Sequence, residues 1–257
     1  MNHQVNAIKA IACDVDGTLV DSAPDIAYAL NTALVQAGLD AFDVARVREW
    51  IGDGPDLLIA RALAATEGSQ TVPSRAAGNF GRAESSALSA RLRADFDLAT
   101  FAAPLAHGAV YPDMADALQT LHGTWPLVVV TNKPTALARA VLEAAGLLTR
   151  FKTVYGADRA ELRKPLPAML HQAAHDLALK TQELLMVGDS AADMNAAKAA
   201  GAPSVLVTWG YGHTQAHRIE PTWQIHCPQQ LTALLQAMAG NSTPAQKIPG
   251  DQEANKR

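Results

Sequence analysis

The segment IKAIACDVDGTL, residues 8–19, joins an apolar run to two aspartates, a glycine and a threonine. Its apolar, β-branched part over residues 8–15 predicts a buried strand. Similar runs recur, with helical stretches between them, at residues 127–131, 153–155, 184–187 and 204–208. Strands that alternate with helices predict an α/β fold, a doubly wound, Rossmann-like parallel sheet. Ligands bind at the carboxyl ends of the strands in such sheets, so the aspartates lie at the expected binding edge.

The stretch after the first strand has a helical pattern only. Ser22 can cap a helix that takes Pro24 into its first turn and stops at Gly38. Beyond that helix, apolar residues recur at helical spacing, and the strand pattern is absent until about residue 105. The sequence therefore predicts an all-helical cap domain inserted into the sheet domain. The expected bounds are 1–20 and 106–239 for the core and 21–105 for the cap.

Composition and charge narrow the possible function classes. The 257 residues are 49% apolar and 18% charged, which is typical of a globular protein. A net charge of −4 gives no basic surplus for a phosphate backbone, so we expect no nucleic-acid partner. Cys13 and Cys227 have no CxxC spacing, and neither a signal peptide nor a long apolar run occurs, so we expect a cytoplasmic protein without a membrane partner. Residues 240–257, whose one large apolar residue is Ile248, are expected to be disordered.

Two aspartates, Asp14 and Asp16, follow the first predicted strand. A carboxylate at the mouth of a sheet can act as a nucleophile, and a neighbouring carboxylate can act as acid and base if its proton affinity is raised. Two acids this close repel each other unless a cation lies between them, so the pair also indicates a metal ion. The competing interpretation is that Asp16 and Gly17 form an ordinary turn after a strand.

Further polar side chains follow other predicted strands. Thr131 and Asn132 present a hydroxyl and backbone donors that suit a phosphate, and Lys164 adds a compact cation. Asp189 can supply an oxygen to a metal ion, and Asp193 can support it from the next helix turn. Each of these features alone is typical of a turn or a solvated surface. Their occurrence in order at successive strand ends favours a functional site.

These motifs resemble those of the haloacid dehalogenase superfamily of phosphotransferases. The resemblance covers about residues 8–235 and depends on DVDGTL (residues 14–19), Thr131-Asn132, Lys164-Pro165 and GDSAAD (residues 188–193). Within the superfamily, the segments DGTLVDSAPDIAYAL, WIGDG, TNKP and TWGYGH look like those of bacterial phosphoglycolate phosphatases. Cys13 departs from the pattern, because a phenylalanine is more usual before the first aspartate, and the departure is expected to alter packing and not chemistry.

The resemblance implies a covalent mechanism with a magnesium ion. Asp14 would attack phosphorus and form an aspartyl-phosphate, and Asp16 would protonate the leaving alkoxide and then deprotonate the attacking water. Mg²⁺ would be held by the Asp14 carboxylate, the Asp16 backbone carbonyl and Asp189. Asp193 would support this metal site without touching the ion.

The resemblance also implies how the substrate is bound. Thr131, the Asn132 backbone and Lys164 would stabilise the phosphate oxygens. The expected substrate is a small phosphorylated metabolite, with 2-phosphoglycolate as the first choice. Its carboxylate would be recognised by the cap loop, at the N-terminus of a helix predicted from about residue 55 to 65. This loop contains Gly52, Asp53 and Gly54, and Arg46, Arg48 and Arg61 could assist.

Several alternatives remain open or are excluded. An ordinary capped helix start would explain the glycine loop equally well. Cys13 lacks the Cys-x5-Arg loop of cysteine phosphatases, because position 19 is a leucine. The insert contains no lysine, which excludes the Schiff-base chemistry of phosphonoacetaldehyde hydrolases. Hydrolysis of another phosphoester such as a sugar phosphate, phosphomutase activity and a non-enzymatic phosphate-binding regulator remain as alternatives, and the sequence makes no prediction of oligomeric state.

Overall fold

The computed structural model describes residues 7–68, 82–212, 216 and 219–240. The strands of the described chain are β1 (Ala10–Cys13), β2 (Val20–Asp21), β3 (Ala109–Val110), β4 (Leu127–Thr131), β5 (Thr153–Gly156), β6 (Leu184–Gly188), β7 (Ser204–Val207) and β8 (Trp223–Ile225). Its helices are α1 (Ala23–Gln36), α2 (Val44–Arg48), α3 (Pro55–Gly68), α4 (Arg82–Ala102), α5 (Met114–His122), α6 (Thr135–Ala144), α7 (Ala168–Asp176), α8 (Ala191–Ala200) and α9 (Pro228–Gly240). The tail predicted to be disordered, residues 240–257, lies outside the described residues except for residue 240.

The main sheet of the described chain has six strands in the order β5-β4-β1-β6-β7-β8, and every neighbouring pair is parallel. Alternate residues of β1 pack on opposite faces of the sheet. Ile11 and Cys13 belong to an apolar cluster that includes side chains of α5, α6 and α9, whereas Ala10 and Ala12 belong to a second cluster with α7 and α8. Both faces are therefore covered by helices, and the predicted doubly wound α/β fold is confirmed.

The helical cap is formed by α1, α2, α3 and α4. Their buried apolar side chains form a cluster of their own, which includes Leu30, Trp50, Leu58 and Phe96. Leu137 of α6 also belongs to this cluster, so the cap packs directly on the sheet domain. The inserted helical cap predicted from the sequence is confirmed as an architecture.

Two short strands, β2 and β3, flank the cap helices in the chain and pair with each other. The sequence analysis did not predict them. Strand β2 pairs with β3 in antiparallel orientation, with Val20 opposite Val110 and Asp21 opposite Ala109. Strand β8, also not predicted, adds a parallel edge next to β7. Each of these strands has two or three residues. Their apolar pattern is too short to be recognised, and their existence depends on partners distant in the sequence.

Helix α1 ends as predicted but begins differently. Gly38 has φ of +78° just after the helix, and the N–H of Leu39 donates to the Leu34 carbonyl, so the predicted stop is confirmed. Ser22 occupies the N-cap position, but its side chain makes no cap hydrogen bond. Its hydroxyl donates instead to Asp16 Oδ1 at 2.5 Å. The predicted side-chain cap is therefore wrong, because Ser22 has helical dihedral angles instead of the extended ones of a capping residue, and its hydroxyl is directed to Asp16.

Candidate active site

The carboxyl ends of three adjacent strands bring predicted site residues together. Asp14 follows β1, Thr131 ends β4, and Asp189 follows β6, while β1 lies between the other two strands. Side chains that follow neighbouring parallel strands meet at one edge of the sheet. All three residues are buried, with relative exposures of 7%, 1% and 2%. The strand order thus builds a pocket of polar groups with little access to bulk water.

Lys164 supplies a buried cation to this edge. Its Nζ lies 3.0 Å from Asp14 Oδ1 and donates to Asp193 Oδ1 at 2.6 Å and to the Val130 carbonyl at 2.9 Å. Burial disfavours its charge, but the carboxylates of Asp14 and Asp193 favour it more strongly and raise the pKa of Lys164 above its usual value. Lys164 therefore remains a cation at neutral pH.

Asp193 holds Lys164 in place. The side chain is fully buried in the first turn of α8, where its Oδ2 accepts the backbone N–H of Ser190 at 3.0 Å and the Ser190 hydroxyl at 2.6 Å. Gly188 leaves the space for it, because a Cβ at that position would overlap Asp193 Cγ. Both Asp193 oxygens are engaged by protein donors. The structure thus places Asp193 beside Lys164, with no oxygen directed away from the protein.

Asp189 sits in a narrow recess between two glycines. Its Oδ2 accepts the backbone N–H groups of Tyr211 at 2.7 Å and Gly212 at 3.0 Å. A Cβ at Gly17, where φ is +81°, would lie 2.5 Å from the same oxygen, and a Cβ at Gly210 would overlap the Asp189 side chain. The two glycines and the two N–H groups therefore fix the orientation of the carboxylate.

The carboxylates at this edge fit a divalent cation. Among the described residues, Asp14, Asp189 and Asp193 each offer an oxygen within 4.8 Å of the others. Asp14 Oδ1 is buried, and apart from its ion pair with Lys164 it has no hydrogen-bond partner among the described residues. Burial raises the pKa of Asp14 to about 6, and burial with the nearby Asp193 and Asp14 charges raises the pKa of Asp189 to about 7. Since the Asp193 oxygens are engaged, Asp14 and Asp189 are the carboxylates that suit a hard cation.

Asp16 faces away from this cluster and towards the cap. Its Oδ1 accepts the Ser22 hydroxyl, and its Oδ2 lies 3.1 Å from Lys133 Nζ. The sequence analysis included Lys133 only as part of the segment TNKP and gave it no role. The sequence did contain a signal for such a role, because a lysine directly after a phosphate-binding motif at a strand end lies at the binding edge of the sheet. Lys133 is therefore a site residue that the sequence analysis missed.

The Asn132 side chain ties the cap to the core. Its Nδ2 donates to the Gly52 carbonyl at 2.9 Å and to the Lys164 carbonyl at 3.1 Å, and its Oδ1 accepts the Lys164 N–H at 2.7 Å. The sequence pointed to the Asn132 backbone only. The structure shows that the side chain fixes both the cap loop and the loop carrying the buried lysine.

The cap loop reaches the site through its glycines. Gly52 and Gly54 line the cleft between cap and core, and a Cβ at Gly54 would lie 3.0 Å from the Asn132 carbonyl. Asp53 does not line this cleft, because its carboxylate forms an ion pair with Arg61. Arg61 also donates to the Trp50 carbonyl, Arg46 pairs with Glu49, and Arg48 lies 3.5 Å from Asp21. None of these three arginines lines the cleft in the described structure.

The cleft is polar on one side and apolar on the other. The core side carries the polar residues Asp14, Asp16, Thr131, Asn132 and Lys133, and also Pro134 and Leu137. The cap side chains that line it are apolar, and they are Ile26, Ile51, Pro55, Leu58 and Phe96. A ligand in this cleft thus meets charged groups at the sheet edge and a hydrocarbon wall opposite them.

The sequence of the chain matches a known enzyme family. A family model described as haloacid dehalogenase-like hydrolase matches residues 8–201. The chain belongs to this family. As a haloacid dehalogenase-like hydrolase it is an enzyme, and the sheet edge described above is its candidate active site.

Relatives of this hydrolase share a name. A phosphoglycolate phosphatase of Yersinia pseudotuberculosis serotype I is 37% identical over 212 residues, which cover 82% of this chain and 85% of the relative. A phosphoglycolate phosphatase of Rhodospirillum rubrum is 42% identical over 205 residues, covering 79% and 80%. A crystal structure from Haemophilus somnus 129PT, described as a predicted phosphoglycolate phosphatase, superposes with a TM-score of 0.79 at 28% identity and covers 89% of this chain and 98% of its own. The name describes a phosphoric monoester hydrolase.

Two further observations concern the Cys13 thiol and the helices of the described chain. Burial raises the pKa of the Cys13 thiol to about 12, so a thiolate nucleophile next to Asp14 is disfavoured. Within the part of the chain that the structure describes, no helix has the length and apolar character needed to cross a membrane.

Proposed function

We propose that this hydrolase is a Mg²⁺-dependent phosphomonoesterase that converts 2-phosphoglycolate to glycolate and phosphate. The observation that carries the proposal is the contact of Asp14 with Lys164 beside Asp189, at the edge where three central strands end. The name shared by its relatives supports the substrate. We extend the proposal to a cytoplasmic location, to a core of residues 1–20 and 106–239, and to a cap of residues 21–105.

Asp14 is proposed as the nucleophile and Asp16 as the acid and base. An Asp14 oxygen attacks phosphorus in line, forming an aspartyl-phosphate while the bond to the glycolate oxygen breaks. Asp16 gives its proton to that oxygen and then takes one from the water that attacks the aspartyl-phosphate. The water attack releases inorganic phosphate and regenerates both carboxyl groups. Ser22 and Lys133 hold Asp16 for both transfers through the contacts described above.

Mg²⁺ would be bound by the Asp14 and Asp189 carboxylates and the Asp16 backbone carbonyl. When bound, it would neutralise charge on the phosphate oxygens. Because burial and neighbouring carboxylates raise the pKa of Asp14 and of Asp189, a cation at this place also relieves the cost of ionising them together. Asp193 would act on the site through Lys164.

The phosphate oxygens would contact Thr131, the Asn132 backbone and Lys164. Lys164 is a fixed cation, and Asn132 orients the loop that carries it. Preorganised donors of this kind require no rearrangement as charge develops, which is the largest contribution in many phosphoryl transfers.

The cap side of the cleft favours a small substrate over a sugar phosphate. The described cap side chains in the cleft are hydrocarbon and offer no partner to sugar hydroxyls, and a buried hydroxyl without a partner is costly. The loop of Gly52, Asp53 and Gly54 would enclose the organic part of the substrate. Hydrolysis of another small phosphoester remains the second candidate, while this wall argues against a phosphomutase acting on sugars.

The test is phosphate release from a panel of substrates with Mg²⁺ and with EDTA. We expect turnover of 2-phosphoglycolate at a kcat/KM at least about 10-fold above that for 2-hydroxyethyl phosphate, its neutral counterpart, and no turnover in EDTA. Equal values for the two substrates would contradict the assignment to 2-phosphoglycolate. Turnover unchanged by EDTA would contradict the metal requirement.

A thermal shift tests the metal site without activity. Metal binding requires both carboxylates ionised, so Mg²⁺ should raise Tm more at about pH 8 than at about pH 6, in line with the raised pKa of Asp14 and Asp189. Gly210→Ala should reduce the shift, because the added Cβ displaces Asp189. Gly123→Ala is the matched control, since a Cβ there meets nothing within 4 Å. An equal shift in the Gly210→Ala variant and in the control would contradict the role of Asp189.

A further inference from the structure

Lys133 is a buried cation that lines the cleft. None of the hydrolytic steps proposed above requires it to contact the substrate. Its side chain is 6% exposed. Among the described residues that line the cleft, it is the one basic side chain. A lysine is rarely this buried unless its charge has a task or a full set of partners. The ion pair with Asp16 supplies one carboxylate, and Asp16 already accepts the Ser22 hydroxyl on its other oxygen.

The group that Lys133 can contact follows from the proposed role of Asp16 as the acid. If Asp16 protonates the ester oxygen, the organic part of the substrate must begin beside Asp16. In 2-phosphoglycolate the carboxylate carbon lies two single bonds from the ester oxygen, a span of roughly 2.5 Å. Lys133 Nζ lies 3.1 Å from Asp16 Oδ2, so a carboxylate attached there is within reach of it.

The other described cations near the cleft are already paired with carboxylates. Arg163, whose guanidinium lies next to Gly54, pairs with Asp56 at 3.0 Å. Lys164 is enclosed by Asp14, Asp193 and the Val130 carbonyl at the phosphate end. Arg61, in the cap, is held by Asp53 and the Trp50 carbonyl. The cap wall opposite Lys133 is hydrocarbon, and a low-dielectric surface strengthens a charge pair formed against it.

We propose that Lys133 is the specificity-determining residue that binds the substrate carboxylate, with the cap loop enclosing the pair. The inference rests on the proposed function and deepens it. It assigns the binding of the substrate carboxylate to a core residue, so that the phosphate and the carboxylate are both bound at the same edge of the sheet. An anionic substrate then gains binding that a neutral phosphoester of equal size lacks.

The experiment compares Lys133→Met with the exposed-lysine control Lys198→Met. We expect Lys133→Met to lower kcat/KM for 2-phosphoglycolate by about 10- to 100-fold relative to 2-hydroxyethyl phosphate, the range for a hydrogen bond to a charged group. Most of this selective loss should appear in KM. Inhibition by the product glycolate should weaken by a similar factor, and this readout depends on binding alone and not on the rate of the chemical step. Lys198→Met should leave both readouts unchanged.

A structural role for Lys133 through Asp16 gives a different result. It would lower kcat for both substrates alike and leave their ratio and the glycolate inhibition unchanged, and that outcome overturns the inference. Lys133→Arg should keep the preference for the substrate with a carboxylate. Lys133→Gln retains an N–H donor but no charge and should lose the preference. This second variant keeps the test valid if Lys133→Met folds poorly. If the unmutated enzyme itself shows no preference, the proposed function fails. A preference that survives in both Lys133→Met and Lys133→Gln overturns the Lys133 inference alone.

Discussion

Asp14→Asn is expected to lower kcat by at least about 10³-fold while the protein stays folded. An amide cannot attack phosphorus, and it carries no charge for a metal ion. The fold should survive because the amide has the same size as the carboxylate and Lys164 keeps its contacts with Asp193 and the Val130 carbonyl. Phosphate release and the far-UV spectrum of the variant would be measured beside those of Asp40→Asn, which changes an exposed aspartate.

A labelled phosphate distinguishes the nucleophile from a mere ligand. After acid quenching of a single turnover with ³²P-labelled substrate, the unmutated enzyme should carry covalent label and Asp14→Asn should carry none. Retention of more than about a tenth of the activity, or of the label, would remove Asp14 from this role.

Lys164→Met should cost both stability and activity. Removing the cation leaves Asp14 and Asp193 buried without compensation, which typically costs about 3–5 kcal/mol of unfolding free energy. The loss of one preorganised charge at the phosphate should lower kcat by about 10²- to 10³-fold. Urea unfolding in EDTA measures the first effect, with the exposed-residue variant Lys152→Met as control.

The pH dependence of this stability loss has a definite sign. Without Lys164, the pKa of buried Asp14 should rise further above its value in the unfolded chain, so the folded state binds more protons than the unfolded state. The stability of the variant should then increase as the pH falls from about 8 towards 5, and the deficit should shrink. A deficit that does not change with pH, or no deficit at all, would contradict the assigned contact.

The local pattern of the chain determined much of the fold. Apolar β-branched runs predicted five strands of the main sheet, and helical spacing predicted the cap between residues 21 and 105. The polar residues at the strand ends could be found because, in a parallel sheet, the end of each strand points to the same edge. The sequence therefore predicted that Asp14, Thr131 and Asp189 lie at the same edge of the sheet, and the structure places them there.

Only the tertiary structure decided which side chains meet across the site. The sequence predicted a helix cap at Ser22 and no role for Lys133, whereas in the structure both side chains contact Asp16. Asn132 joins Gly52, 80 positions away in the sequence. A sequence pattern specifies which face of an element a residue occupies, whereas these pairings depend on how separate elements pack. Hydrogen-bond geometry over a few ångströms then selects one partner from several of similar chemistry.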